Sequence, residues 1–260
     1  MTTMAFAVRD SATMTRRGFR HVLRYPVTLV VSVAVPVLLL LLFVGVFGGA
    51  LKTGLGAVSH GAYIDYVMPG IIVMTAAYGS SVTAQSVNRD STEGIIARFR
   101  TMAIARVSVL TGHVVGAVLQ TMFAVAVVLG VAVLIGFRPH ATVLGWLALA
   151  GVVALVGFAL TWLSVALGLV SKSVEAASNL PMPLTFLPFL GSGFVPTGSM
   201  PTGLRWFAQY QPFTPVIETV RGLLTGTRIG GSGLASVAWC AGIALVGYLW
   251  ARRLYARPRA

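Results

Sequence analysis

Long apolar stretches recur along the chain, separated by short polar or charged segments. Six of them approach or exceed the roughly 20 residues that a helix needs to cross a bilayer core about 30 Å thick. They are Val27–Gly49, Val67–Val87, Ser108–Phe137, Val143–Val170, Ala176–Val195 and Gly233–Ala251. The third and fourth are long enough to tilt or extend into water. The fifth carries Pro181, Pro183 and Pro188, which remove backbone donors and clash with preceding carbonyls, so a kinked or broken helix is expected there. The pattern predicts an all-α, polytopic membrane protein with six transmembrane helices in one domain over residues 1–260.

Between the apolar runs the basic residues alternate from dense to sparse. Arg9, Arg16, Arg17, Arg20 and Arg24 precede the first run. Arg89, Arg98, Arg100 and Arg106 follow the second, Lys172 follows the fourth, and Arg252, Arg253, Arg257 and Arg259 close the chain. The alternate segments carry only Lys52, Arg138, Arg205, Arg221 and Arg228. Basic residues collect on the cytoplasmic side of membrane proteins, so both termini and residues 88–106 are expected inside the cell. The first run begins at Val27 after a 26-residue basic, polar segment; a secretory signal would have a shorter core and a small-residue cleavage site, so the run reads as a retained helix.

Composition sharpens this picture. The chain is 57% hydrophobic and 10% charged, with a net charge of +13, against about a quarter charged for an average soluble domain. Such a charge raises nucleic acid as a partner, but the basic clusters border apolar runs instead of sharing one soluble face. Cys240 is the single cysteine and lies in an apolar run. It reads as a small buried hydrophobe, with no intrachain disulfide or cysteine metal site available.

Several chemistries lack their residues. A phosphate-binding loop needs a Gly-Lys pair, but Leu51 and Ser171 precede the two lysines. The acids are Asp10, Asp65, Asp90, Glu93, Glu175 and Glu218. None falls at the centre of a run, where an ion-coupled carrier places its ionisable groups. His21, His60, His113 and His140 show no metal-ligand spacing. His113 stands near the start of the third run and reads as a packed or interfacial histidine. No cofactor and no catalytic residue is expected in this chain.

Within the runs, Ser80, Ser81, Thr83, Gln85, Gln120, Thr121, Asn179 and Thr185 are polar. Each alone reads as a cross-helix hydrogen bond. As a group, Ser80, Ser81, Thr83, Gln85, Gln120, Asn179 and Thr185 are candidates to line a path. Two flanking segments have their own pattern. Residues 9–25 place Phe19, Val22 and Leu23 at helical spacing among arginines, which suits an amphipathic helix on the inner membrane surface. Residues 196–232 are too apolar for a solvated loop. Trp206, Phe207, Tyr210 and Phe213, with interspersed glycines and prolines, suit short helices that lie in or dip into the outer leaflet.

The segment NRDSTEGIIARFRTMAIAR (88–106) concentrates charge between two apolar runs. Arg89, Asp90 and Glu93 begin it and Gly94 breaks it. Ile95, Ile96 and Phe99 give an apolar face, and Arg98, Arg100 and Arg106 follow. A short helix of this kind at the membrane surface fits a groove on a soluble partner. A topology-setting loop without a partner is the other reading of the same residues.

These residues resemble the cytoplasmic loop and following span of ABC type-2 exporter permeases of the daunorubicin-resistance type. Glu93, Gly94, Arg98, Arg100, Arg106, Leu110 and Gly112 match that pattern. The resemblance returns at Phe194, Val195, Pro196, Met200, Pro201, Pro212, Thr214, Arg221 and Gly222, and in YVMPGI (66–71). Ala103 stands where the family usually has proline, and Gln211 where asparagine is common. The resemblance implies a homodimer in a bacterial plasma membrane that binds two copies of a separate ATP-binding-cassette ATPase, which holds ATP and magnesium. Residues Arg89, Asp90, Glu93, Gly94, Arg98, Phe99, Arg100 and Arg106 would couple to it. Phe194, Pro196, Met200, Pro212, Thr214 and Arg221 would belong to an extracellular gate of re-entrant helices between helices five and six. The implied activity is export of an amphiphilic small molecule, an antibiotic or drug. A lipid or polysaccharide exporter of the same family, and a non-transporting docking partner in the membrane, are the alternatives. Membrane lipids are expected neighbours and nucleic acid is not.

Overall fold

A computed structural model describes residues 26–47, 60–93 and 106–256. The expected surface helix at 9–25 and most of the charged segment, residues 94–105, lie outside the described residues. Every regular element among the described residues is helical. They are α1 (Pro26–Leu42, continued by a π-turn over Phe43–Phe47), α2 (His60–Thr92), α3 (Arg106–Leu134) and α4 (Val143–Val170). There follow α5 (Val174–Asn179), α6 (Met182–Phe186) with a 3-10 turn over Leu187–Leu190, α7 (Thr202–Tyr210), α8 (Phe213–Thr225) and α9 (Ser232–Ala256).

Four of these, α2, α3, α4 and α9, are long and apolar enough to cross a membrane. The apolar helix of α1 is shorter. The fifth expected span, Ala176–Val195, is not one helix. Prolines 181, 183 and 188 divide it into α5, α6 and the 3-10 turn, because each removes an N–H that would bond four residues back. The α4 boundaries fall where the hydropathy puts them. Thr142 opens that helix, its hydroxyl accepting from the Gly145 N–H at 3.1 Å. Elsewhere the helices outrun the apolar runs. The second starts at His60 rather than Val67 and ends at Thr92 rather than Val87, and the last runs on to Ala256 through Arg252 and Arg253. A helix continues past the lipid wherever its backbone stays bonded, so hydropathy alone marks its ends short.

The central helix is α2. It is the least apolar of the four long helices and the most buried, with 83% of its apolar window inside the protein against 22% for α9. This inversion follows from the solvent. Helices facing lipid must be apolar, whereas one surrounded by protein can carry polar groups that bond to neighbours. Met68, Ile71, Ile72 and Met74 of α2 meet Ile217 and Val220 of α8 and Val153 and Val156 of α4 in the larger core. Val87, Leu110, Val114, Trp162, Val165 and Ala251 form a second core nearer the α2 C-terminus. Cys240 is buried in α9.

Candidate functional site: the two ends of the bundle

The end of the bundle that carries Asn88 is joined through helix termini. Asn88 is fully buried. Its amide donates to the Gly168 carbonyl at 3.1 Å and the Ser171 carbonyl at 2.7 Å. The last carbonyls of a helix have no intrahelical donor, so this amide closes the C-terminus of α4 with a side chain from α2. The two backbones nearly touch there. A Cβ on Gly168 would lie 2.4 Å from the Ala84 carbonyl oxygen, so only glycine fits. Two residues beyond Asn88, about half a turn and so on the other side of α2, Asp90 Oδ2 lies 3.1 Å from His113 Nε2 of α3, each side chain 22% exposed.

The first residues of the charged segment are therefore helix, not loop. Asn88–Thr92 complete α2, and Glu93 bonds its N–H to the Arg89 carbonyl as the helix ends. Arg89 and Glu93 are exposed, and Asp90 is half-buried. Arg106 opens α3. Gly94, Arg98, Phe99 and Arg100 are outside the described residues. Ser173 and Glu175 sit nearby in the chain, at the start of α5. Ser173 accepts from the Ala176 N–H, and the exposed Glu175 carboxyl is held below the usual glutamate range by its own backbone N–H and the Ser173 hydroxyl.

The opposite end is organised around Arg221 of α8. Its guanidinium bonds Glu218 Oε1 at 2.7 Å, the Ser192 carbonyl at 2.6 Å and the Tyr66 carbonyl at 3.3 Å. It also lies over the Tyr66 ring, 4.4 Å from the centroid, while the Tyr66 hydroxyl donates to the same Ser192 carbonyl at 3.0 Å. One cation thus ties α8 to the start of α2 and to the turn at residues 191–194. That turn is pressed against α2, where a Cβ on Gly70 would meet the Gly193 backbone at 2.9 Å. Phe194 is buried, stacks on Phe189 with ring centroids 4.6 Å apart and meets the Phe43 ring at 4.7 Å in a tilted arrangement. Thr214 donates to the Ala208 carbonyl and so links α7 to α8. Pro212 precedes the first residue of α8. Gly226, at φ 71°, ends that helix in the left-handed conformation that glycine tolerates.

Of the expected gate residues, Phe194, Thr214 and Arg221 lie around the turn at 191–194, and Pro212 stands at the start of α8. Pro196 is exposed and Met200 only partly covered, on the surface turn that leads into α7. Trp206, Phe207 and Tyr210 are exposed on α7. Phe213 is not. It is buried in the main core, because the apolar face of α8 turns inward against α2 and α4. Sequence reasoning left Tyr66, Ser192 and Asn88 without a role. Tyr66 stood inside a matching motif, but no local pattern announces that its carbonyl and ring face an arginine 155 residues away.

A family model described as ABC-2 type transporter matches residues 10–225, most of the chain. The daunorubicin resistance ABC transporter permease protein DrrB1 of Streptomyces coeruleorubidus is 31% identical over 229 residues, covering 86% of this chain and 78% of that protein. The probable doxorubicin resistance ABC transporter permease protein DrrC of two Mycobacterium tuberculosis strains is 23% identical over 239 residues, covering 92% and 85%. The chain belongs to the ABC-2 type transporter family. It is a multi-pass membrane permease, the transport subunit of an ABC transporter.

In this ABC-2 permease the polar span residues do not form one continuous file. Ser81 of α2 and Thr185 of α6 are brought together, their hydroxyls 3.1 Å apart. Ser80 is buried and donates to the Ala77 carbonyl at 2.7 Å, within its own helix. Thr83 is buried and Gln85 partly so. Gln120 instead faces α1 and donates to the Ser32 hydroxyl at 3.3 Å. Asn179 is exposed at the end of α5. Thr121, which the sequence also singled out, is buried against Gly79 and Gly157. A small void between α2, α4 and α8 is lined by apolar side chains including Ile72, Val153 and Val220, and has no room for a water.

Proposed function

We propose that this permease exports an amphiphilic small molecule, using ATP hydrolysed by a separate ABC ATPase subunit. Two copies of the chain pair in the plasma membrane, and each docks one ATPase through residues 88–106 on the cytoplasmic side. The ATPase holds ATP and magnesium. The helices α7 and α8 close the outer end around Arg221, and ATP-driven movement at the Asn88 end is passed along α2 to open it.

One observation carries this reading: α2 runs from the exposed charges Arg89 and Glu93 to the Arg221 cluster as a single central helix packed against α3, α4 and α8. A rigid element of that kind is what coupling between distant ends requires. The broken α5–α6 segment supports pairing. It leaves Asn179, Leu180, Met182 and Phe186 exposed beside helix breaks, and such backbone is tolerated at membrane depth where protein or a polar path covers it. The amphiphilic substrate class follows from spans that carry hydroxyls and amides but few charges, and from relatives named for resistance to daunorubicin and doxorubicin.

The test is co-purification from mild detergent with a candidate ABC ATPase co-expressed with this chain. The wild type should recover the ATPase and Glu93→Arg should not. Daunorubicin should then stimulate ATP hydrolysis by the reconstituted complex. A Glu93→Arg variant that binds and exports normally would remove residues 88–106 from the coupling role.

A further inference from the structure

We propose that the Asp90–His113 pair latches the two ends of the coupling segment together, and that His113 is a positioning residue for energy coupling. The inference rests on the reading above that residues 88–106 meet the ATPase.

The geometry is that of a closed hairpin. The segment at 94–105 leaves the end of α2 and enters the start of α3. Asp90 lies two residues before the last residue of α2. His113 lies seven residues into α3, two turns or about 10 Å from its first residue. Their side chains meet at 3.1 Å, the imidazole Nε2–H donating to the carboxylate. On the other side of α2, Asn88 fastens the same turn to the last carbonyls of α4. A pull on the segment therefore reaches α2, α3 and α4 together. Without the latch, the start of α3 is held to α2 here only by non-directional apolar contacts among Val87, Leu110 and Val114, which let the two helices slip before the pull reaches α4.

The choice of residues argues for this use over simple adhesion. Beside the pair, Val87, Leu110 and Val114 already pack α2 against α3 in a buried apolar cluster. Placing an acid and an imidazole at the edge of that cluster adds desolvation cost that another apolar pair would avoid. What the polar pair adds is direction, since it is satisfied in one register of α2 against α3 and broken in others. Fixing register is the best-attested use of partly buried ionic groups.

The experiment uses the full chain with its ATPase in proteoliposomes, measuring daunorubicin transported per ATP hydrolysed. His113→Ala and Asp90→Ala should each still assemble with the ATPase and hydrolyse ATP, but lower that ratio about fivefold or more, the lower bound of usual coupling between sites. His113→Gln keeps an N–H donor and should retain most of the ratio. The exchange Asp90→His with His113→Asp should restore it to within about twofold, the margin within which uncoupled effects add. Should an alanine variant fail to assemble, the exchanged pair and His113→Gln carry the decision. An unchanged ratio in the single variants, or an exchanged pair as defective as they are, would overturn the latch while leaving the exporter reading intact. A wild-type complex that assembles but hydrolyses ATP without moving daunorubicin in response would instead overturn the substrate class, and the latch would then be read from ATP hydrolysis stimulated by the permease. A wild-type chain that recovers no ATPase would overturn both.

Discussion

The two ends of α2 are both held by side chains that donate to backbone carbonyls, yet they differ in how the hold is distributed. At one end, a single guanidinium binds Glu218, Ser192 and Tyr66 and covers the Tyr66 ring. At the other, the hold is divided among the Asn88 amide, the Asp90–His113 pair and the close approach of Ala84 to Gly168. Both ends leave buried polar atoms without a hydrogen-bond partner, but more of them gather at the concentrated end: Ser192 Oγ, Arg221 Nε and both amide atoms of Gln211 there, against Asn88 Oδ1 at the other. Unpartnered buried groups raise the free energy of the arrangement that buries them. An end built this way is strong while intact but depends on one residue, and solvating its unpartnered atoms favours release. The outer gate proposed above would use that combination. The distributed end loses less from any one change, which suits an element that must transmit movement without coming apart.

The largest expected effect tests the concentrated end. Arg221→Leu leaves Glu218 and two carbonyls without their cation; breaking a fully buried pair costs about 3–5 kcal/mol, and the 38% exposure of the Glu218 side chain brings the cost here below that range. Thermal unfolding of the purified chain in detergent should show this as the steepest loss among single variants at either end. Arg221→Lys keeps the charge but loses the planar fork and ring contact, and should fall between wild type and leucine. If lysine behaves as wild type, the hold is a simple charge effect and the comparison weakens.

Next in size is Gly168→Ala at the distributed end. The added methyl would sit 2.4 Å from the Ala84 carbonyl, and overpacking of a close helix contact costs about 1–3 kcal/mol. Asn88→Leu should cost about 1–3 kcal/mol, the range for leaving buried carbonyls unpaired. The same unfolding measurement ranks the three. An Asn88→Leu loss as large as that of Arg221→Leu would mean that this end too hangs on one residue.

Much of the helical plan could be read from the chain, and the reasons for the remainder are specific. The α4 boundaries were legible because Thr142 caps the helix where the apolar run begins and Ser171 follows where it stops. The breaks near Pro181, Pro183 and Pro188 were legible because proline acts locally. The extent of α2 was not, since Asn88–Thr92 are polar and hydropathy assigns polar residues to loops. Arg221 and Thr214 stood out through their motif. Their partners Tyr66, Ser192 and Ala208 did not, because the bonds go to main-chain carbonyls, which every residue possesses. His113 was read as packing because Asp90 is 23 residues away across a hairpin that no short motif marks. Phe213 was misread because an aromatic residue suits both an interface and a core, and only the inward face of α8 decides between them.

The smallest expected effect lies between the two ends, where Ser81 and Thr185 join α2 to α6. Ser81 also donates to the Ala77 carbonyl of its own helix at 3.2 Å, so the cross-helix bond is not its sole outlet. Interhelical hydrogen bonds inside membranes average about 0.6 kcal/mol, because a serine released from one partner finds another. Ser81→Ala should therefore change the unfolding temperature of the purified chain little while exposing whether this bridge serves transport. A stability loss approaching that of Asn88→Leu would make the α2–α6 seam a third structural anchor. An unchanged stability with altered daunorubicin-stimulated ATP hydrolysis would place Ser81 and Thr185 on the substrate path, midway along the helix whose two ends are held so differently.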